Sequence, residues 1–352
     1  IQTTSVCTSA CQYCPYPYAA TTQNPGYMSD ELFEKIILDI KEISPNFDGH
    51  YSAQLGNEPA ADPKFLERTE FVYKTFPNIR INFPSNAQLL DKERGRKLID
   101  LMFKYENMVD DRNHGGILVH FAGISEDSWK DVMDSTQDYY KTIDNIRNLI
   151  SYNAELGRKY PNKACNINTH NWFEHPDPSQ YLAIPMGITA YHKPENPELW
   201  PSLEKWEKLH NKKFQYYSEK EYLRHIDDLF FSYGPYLSRS ELFQDRAGDL
   251  NLLGETHSKL AARKIDKDNS FECARFFNGR GLSVLYDGDV AVCCNDWTKR
   301  YTLGNLKTQT VIEVFYGKDY IDFMDMGTGR VPSPPDFICK LCRDFQCENE
   351  WL

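Results

Sequence analysis

Between residue 1 and about residue 190, short β-rich runs alternate with longer stretches in which apolar side chains recur at every third or fourth position. The runs predict strands over Ile1–Val6, His50–Leu55, Ile79–Phe83, Ile117–Phe121, Ala164–Asn168 and Tyr181–Ile188. Between them, Ser29 is placed to cap a helix whose first turn carries Asp30 and Glu31 and whose apolar face is Leu32, Phe33, Ile36, Ile37 and Ile40. Lys92–Tyr105 and Gln137–Leu156 carry the same period, the second through Tyr140, Ile143, Ile146, Leu149 and Ile150. Strand and helix repeated in this way predict a parallel sheet with helices outside it, and six such units predict an α/β fold of the partial, TIM-like (β/α)6 barrel kind. Chemistry in such barrels sits on loops at the C-terminal strand ends. The loop after the first predicted strand holds cysteines at 7, 11 and 14.

Residues 191–270 lose this period and are rich in Pro, Trp, Tyr and charge, which predicts a partly helical linker or lid. From residue 271 to 352 a smaller α+β module begins. Leu282, Val284 and Tyr286 alternate before Asp287-Gly288, and Val290 and Val292 alternate after it, the pattern of a β-hairpin. A helix is predicted over Val311–Phe323. No internal repeat or low-complexity tract interrupts this division into 1–190, 191–270 and 271–352.

Charge narrows the partners. The 352 residues carry 40 Lys and Arg against 51 Asp and Glu, a net −11 that argues against a nucleic-acid backbone or an anionic membrane surface. No window approaches the roughly 20 continuous apolar residues of a membrane span, and no signal-peptide pattern opens the chain. Ten cysteines stand at 7, 11, 14, 165, 273, 293, 294, 339, 342 and 347, nine of them in two terminal regions. Paired disulfides in a secreted protein are the alternative, but a chain of this size has little need of them and C-x2-C spacings in intracellular proteins more often hold metal, so metal is expected and the cytoplasm is the expected compartment.

Three thiolates in one loop are one short of a tetrahedral structural zinc site. They can instead hold three irons of a [4Fe–4S] cluster, leaving the fourth iron open. A zinc site with a distant fourth ligand and three unrelated core thiols are the alternatives. "CTSACQYC", with Tyr13 before the last cysteine, resembles the signature of the radical S-adenosylmethionine (SAM) superfamily, whose open iron chelates SAM and whose barrel is the partial (β/α)6 form. Gly56-Asn57-Glu58-Pro59, after the second predicted strand, is similar to the family's GGEP element, which holds the SAM amino group; Asn57 replaces the usual second glycine. A glycine permits close backbone approach and a carboxylate pairs with an ammonium. Ser85 and Asn86 match the polar positions of the family's TNG-type stretch. His120 and Ala122 stand where many relatives have the Ser and Asp of Ser-Leu-Asp-Gly, so His120 is a candidate to face SAM or the substrate, with a satisfied barrel histidine as the alternative. For the SAM carboxylate Lys130 is a weak candidate, with no clear arginine counterpart.

Cys273, Gly288 and Cys293 reproduce the spacing that opens the SPASM/Twitch module, which follows many radical SAM barrels; "LGNL" at 303–306 and "PDFICKLCRDFQC" continue the likeness. A zinc ribbon is the alternative. Two fully cysteine-bound clusters need eight thiolates, so the resemblance implies one auxiliary [4Fe–4S] cluster on Cys273, Cys293, Cys339 and Cys342, with Cys347 a further ligand or a spare thiol. Cys293 and Cys294 should point to opposite faces if the strand continues through them. Cys165 and Cys294 are expected to be buried small hydrophobes.

The resemblance implies reductive cleavage of SAM to a 5′-deoxyadenosyl radical, hydrogen abstraction from a C–H bond, and an external donor of the flavodoxin or ferredoxin type. A closed auxiliary cluster suits electron transfer, hence a net two-electron oxidation; epimerisation and diol dehydration are alternatives on the same scaffold. Many peptide-modifying relatives carry an extra recognition domain, and none fits ahead of Cys7 or behind Cys347. A small polar metabolite such as a sugar or aminocyclitol is therefore expected, with a peptide seated by the aromatic 191–270 stretch as the alternative. His120, His170 and Asp296 are candidate bases. Outside catalysis, the cysteines would suit a zinc-stabilised binding module or an electron carrier with two closed clusters.

Overall fold

A computed structural model describes residues 1–11, 14, 16, 19, 24–105, 116–120, 126–135, 137–159, 166–170 and 281–341. Four strands, β1 (His50–Ser52), β2 (Arg80–Ser85), β3 (Gly116–His120) and β4 (Asn166–His170), form a parallel sheet in chain order. Each crossover carries helix: α2 (Phe65–Thr75) between β1 and β2, α3 (Lys92–Tyr105) between β2 and β3, and α4 (Glu126–Met133) with α5 (Tyr139–Lys159) between β3 and β4. Helix α1 (Asp30–Ile43) precedes β1. Sequential parallel strands joined through helices form the wall of the barrel-type α/β fold. The predicted strand Tyr181–Ile188 lies outside the described residues.

Burial follows alternation along β2 and β3. Ile81, Phe83, Ile117 and Val119 have no exposed surface, and the Phe83 ring lies 5.3 Å from that of Phe65 on α2. These residues therefore face the helices, while Asn82, Pro84, Leu118 and His120 point to the other, inner side. Ser29 caps α1 as predicted, its hydroxyl accepting from Leu32 N at 3.2 Å, and Leu32, Phe33, Ile36 and Ile37 are buried. In α5 the buried tyrosine is Tyr139; Tyr140, predicted on the apolar face, is 62% exposed.

The predicted strand Ile1–Val6 does not form. Its polar side chains compete with any ladder: Thr4 Oγ1 donates to Gly26 O at 3.0 Å and accepts from Val6 N at 3.1 Å, and one antiparallel bridge joins Thr4 to Tyr27. The segment is nonetheless fixed, because Arg68, 6% exposed, donates to Thr3 O, to Met28 O, to Asp62 Oδ2 at 2.8 Å and to Asp30 Oδ1 at 3.0 Å.

The C-terminal module is a three-stranded antiparallel sheet of β5 (Ser283–Val284), β6 (Asp289–Ala291) and β7 (Thr302–Asn305), with α6 (Val311–Phe315), α7 (Lys318–Gly327) and α8 (Ile338–Leu341). The hairpin turns where predicted, with Gly288 at φ +88° and its N–H donating to Leu285 O at 2.9 Å. Glycine adopts that left-handed conformation without a Cβ clash. The single helix predicted over Val311–Phe323 is instead broken at Tyr316-Gly317. Gly317 opens α7 with extended backbone, so close to the previous turn that a Cβ there would meet Glu313 O at 3.0 Å. No described helix is long and apolar enough to cross a membrane.

Substituting Arg68→Ala leaves the Asp62 carboxylate, 1% exposed, without its guanidinium. Breaking a buried pair from one side costs about 3–5 kcal/mol. Urea unfolding of the variant should show a loss of that order, and an unchanged midpoint would refute the role of Arg68 in anchoring residues 3–6.

Candidate active site

The C-terminal ends of the parallel strands gather most of the polar residues singled out in the sequence. Leaving β1, the chain turns through Leu55-Gly56-Asn57-Glu58. Gly56 has φ +76°, a conformation that favours glycine, and Asn57 locks the turn by accepting from Leu55 N at 2.8 Å and donating to Ala53 O at 3.1 Å. Asparagine in place of a glycine thus costs the turn nothing: its side chain supplies two of the turn's hydrogen bonds.

Glu58 is 2% exposed and fully engaged. Oε1 accepts from Ser85 Oγ at 2.8 Å and from Ala60 N at 3.0 Å, and Oε2 accepts from Asn86 N at 2.7 Å. Its own N–H donates to Val6 O at 3.0 Å, just before Cys7. Burial pushes the Glu58 carboxyl above its usual range, opposed by these hydrogen bonds and by the nearby Arg94 charge. Pro59 opens the short 3-10 helix that Glu58 caps. Ser85 and Asn86 sit at the end of β2, followed by Ala87 in the left-handed region at φ +60°. That strain is held by Ala87 N donating to Ser85 Oγ and by Asn145 Nδ2 of α5, which donates to Ala87 O and Gln88 O.

The cysteine loop joins this network. Asn86 Nδ2 donates to Thr8 Oγ1 at 3.0 Å and lies 4.0 Å from Cys7 Sγ, and Gln88 Nε2 donates to Ser9 Oγ at 2.8 Å. Cys14 N donates to Cys11 O at 2.9 Å, Cys7 N donates to Tyr16 Oη at 2.8 Å, and Cys11 Sγ contacts Met133 Sδ at 3.7 Å. Burial first, then the Glu58 charge, and after it Cys11 and Cys14, push the Cys7 thiol well above its ordinary value, against one backbone hydrogen bond at Ser9. Three cysteine sulfurs in one loop are the soft donors that iron–sulfur clusters take, so the donor set fits the iron–sulfur cluster. Among the described residues no three His, Cys, Asp or Glu side chains are grouped to hold one metal ion; a cubane takes each thiolate on a different iron.

His120 ends β3 on the inner face, in backbone register with His170 at the end of β4. Lys130 is exposed on α4 and paired with Glu126. Gln2, Ser9, Tyr16, Gln88, Arg94 and Trp297 were not singled out by sequence reasoning; no motif marks them, because their roles come from distant partners. Tyr13, Cys165, Cys273, Cys342 and Cys347 lie outside the described residues.

In the C-terminal module β6 stops at Ala291, so Cys293 and Cys294 fall in a turn rather than on opposite faces of a strand. Both are half-buried and line one crevice with Ala19, Leu55, Leu285, Asp296 and Trp297. Cys294 is therefore not the buried hydrophobe expected. Asn295 N points at Cys293 Sγ at 3.4 Å. Asp296, 4% exposed, accepts from Arg300 N at 2.8 Å and Tyr301 N at 3.1 Å. Burial, then the charges of Asp336, Cys339 and Asp296, raise the Tyr301 phenol above its usual value.

Two family models match, the radical SAM superfamily over residues 1–156 and the SPASM iron–sulfur cluster-binding domain over residues 273–347. The chain belongs to the radical SAM superfamily and carries a C-terminal SPASM domain; it is a radical SAM enzyme whose cofactors are SAM, a [4Fe–4S] cluster and an auxiliary iron–sulfur cluster. Among solved structures it is similar to BtrN in complex with AdoMet and 2-DOIA, at 13% identity and a TM-score of 0.50 over 97% of this chain and 90% of that one. It is also similar to anSMEcpe with bound AdoMet (13% identity, TM-score 0.48, 97% and 87% covered). Streptococcus suis SuiB bound to the precursor peptide SuiA aligns at 11% identity and a TM-score of 0.49, over 97% and 69%. No curated protein sequence matches.

Because burial disfavours the charged form of Glu58, the folded protein holds that proton more tightly than the unfolded chain. This contribution to stability is fully present below the ordinary carboxylate pKa and declines as pH rises through the raised folded value. Glu58→Gln should flatten that part of the stability–pH profile in denaturant titrations of the apoprotein. It should also loosen the Ser85–Asn86 turn, since an amide NH2 would face a hydrogen-bond donor, and an unaltered profile would show that Glu58 is not the titrating group.

Proposed function

We propose that the chain is an oxidoreductase that acts on a small polar metabolite, of the sugar or aminocyclitol kind, in a net two-electron oxidation. The observation that carries this reading is the convergence, at the C-terminal strand ends, of the three-cysteine loop with the buried Glu58–Ser85–Asn86 network, while the turn holding Cys293 lines a crevice with Leu55 and sets Trp297 on Gly56. When bound, the first cluster and SAM supply a 5′-deoxyadenosyl radical that takes a hydrogen atom from an unactivated C–H bond. Cys7, Cys11 and Cys14 would hold three irons and leave one open. Gly56, Asn57, Glu58 and Pro59 would form the turn that receives the amino end of SAM, with Ser85, Asn86 and Tyr13 beside it.

Glu58 would serve mainly by orientation, since both its carboxylate oxygens are already engaged by Ser85, Asn86 and Ala60. Fixing the cysteine loop and the SAM turn to the same carboxylate holds the reacting groups at one separation, which is how positioning lowers a barrier. Cys273, Cys293, Cys339 and Cys342 would close the auxiliary site, with Cys347 in place of one of them; four cysteines leave no vacant coordination position and so suit electron transfer. Oxidation also needs a base. Asp296 lines the crevice but its carboxylate is committed to the Arg300 and Tyr301 amides, whereas His120 stands on the inner face at a strand end, which favours His120. Residues 191–270 would form a lid or linker, and a flavodoxin or ferredoxin would supply electrons. The substrate class follows the fold shared with BtrN, described in complex with AdoMet and 2-DOIA.

Anaerobic reconstitution tests this reading. The protein should bind iron and sulfide, change its EPR signal on addition of SAM, and release 5′-deoxyadenosine under dithionite, with deuterium entering that product from a labelled aminocyclitol or sugar. Replacing Cys7, Cys11 and Cys14 together by Ala should abolish the SAM-sensitive signal while the auxiliary signal stays. Zinc in place of iron would overturn the enzyme reading; 5′-deoxyadenosine formed without label from any small polyol, but with label from a peptide, would overturn the substrate class.

A further inference from the structure

The auxiliary-cluster turn and the proposed SAM turn are in direct contact through one aromatic ring. Trp297, 9% exposed, leaves the turn that holds Cys293 and Cys294 and lays its six-membered ring on Gly56. A Cβ at Gly56 would stand 2.9 Å from Trp297 Cζ3, 3.1 Å from Cε3 and 3.2 Å from Cη2. Gly56 therefore lacks a side chain for two reasons, its φ of +76° and the indole that occupies the space.

A second tie runs through Gln2, which is fully buried. Its Nε2 donates to Leu55 O at 2.7 Å, its Oε1 accepts from Tyr286 N at 3.2 Å, and its backbone N–H donates to Val284 O at 2.7 Å. The carbonyl before Gly56 is thus bonded, through one side chain, to the hairpin of the C-terminal module. The turn carrying Trp297 is itself rigid, because Asp296 spans Arg300 N and Tyr301 N. A glycine in the left-handed region has many other conformations open to it, and a ring packed against it on a fixed support removes them.

The geometry points to Trp297 as a positioning residue for SAM binding: its indole clasps the Gly56 turn, so that order in the auxiliary-cluster loop is transmitted to the SAM site. This rests on reading residues 56–59 as the SAM turn. Preorganising a binding turn raises affinity by removing an ordering cost from the binding step, and packed side chains carry coupling between neighbouring sites. The benzo ring makes the contact, so affinity for SAM should fall in the order Trp, Phe, Ala at position 297. Gly56→Ala adds both strain and a clash; only the clash depends on Trp297.

The test is a SAM titration of the two-cluster protein, followed by the EPR signal of the first cluster, for Trp297→Phe, Trp297→Ala, Gly56→Ala and the Gly56→Ala/Trp297→Ala double variant. Amide hydrogen exchange over residues 53–58 is measured in parallel on the apoproteins. Trp297→Ala should weaken SAM by about tenfold, within the usual range of coupling between sites, and Phe by less. The apoprotein variants should exchange faster over residues 53–58, and Gly56→Ala should cost less affinity when Trp297 is already Ala. Should Trp297→Ala fail to load its auxiliary cluster, the Phe variant and the exchange data still decide. Wild-type affinity and exchange in Trp297→Phe and Trp297→Ala, or an equal Gly56→Ala penalty in both backgrounds, would overturn the proposal. A wild-type protein indifferent to SAM would refute the parent reading instead, while exchange over 53–58 would still show whether the indole clasps the turn.

Discussion

Glu58 brings a carboxylate to a place that water does not reach, and the site is organised around satisfying it. A buried charge without partners is among the most destabilising features a fold can contain, and here each oxygen is met by donors from a different element: the 3-10 helix that follows, the end of β2, and the backbone of Asn86. One of those donors, Asn86, also fixes the cysteine loop, its side chain donating to Thr8 Oγ1. The requirement to solvate one carboxylate therefore sets the distance between the β1 turn, the β2 turn and Cys7, and with it the geometry in which the three thiols are presented.

The same logic extends to both ends of the chain. The polar run Gln2-Thr3-Thr4-Ser5 is buried, and its bonds reach several parts of the structure: Arg68 with Thr3, Gly26 with Thr4 and Ser5, Leu55 and the hairpin with Gln2. A barrel strand would have spent those groups on one neighbour. Used as connectors, they join the α/β wall to the small antiparallel sheet, so the C-terminal module is packed onto the residue 55–56 turn rather than tethered to the wall.

How much of this was legible in the residues differs from element to element. Helix α3 was readable to its ends and the N-cap of α1 to the residue, because period and capping are local properties. Helices α2 and α4 were not marked, α2 because Arg68 and Thr69 interrupt its apolar face with side chains that are nonetheless buried. Tyr139 and Tyr140 both fit a three-to-four spacing, and only packing against Trp129 decided that the first goes inside. Alternation sets Cys293 and Cys294 on opposite faces only where the strand continues, and β6 ends two residues before Cys293.

Spacing of cysteines, the glycine-led turn and the carboxylate after it are short-range patterns, so the sequence alone determined the family and the parallel α/β class of the fold. What Glu58 binds, which face His120 occupies, and the meeting of Trp297 with Gly56 across 241 positions of chain depend on contacts between segments far apart in sequence. A local pattern carries no record of such partners, because burial and hydrogen-bond pairing are properties of the assembled packing; only the tertiary structure decided them.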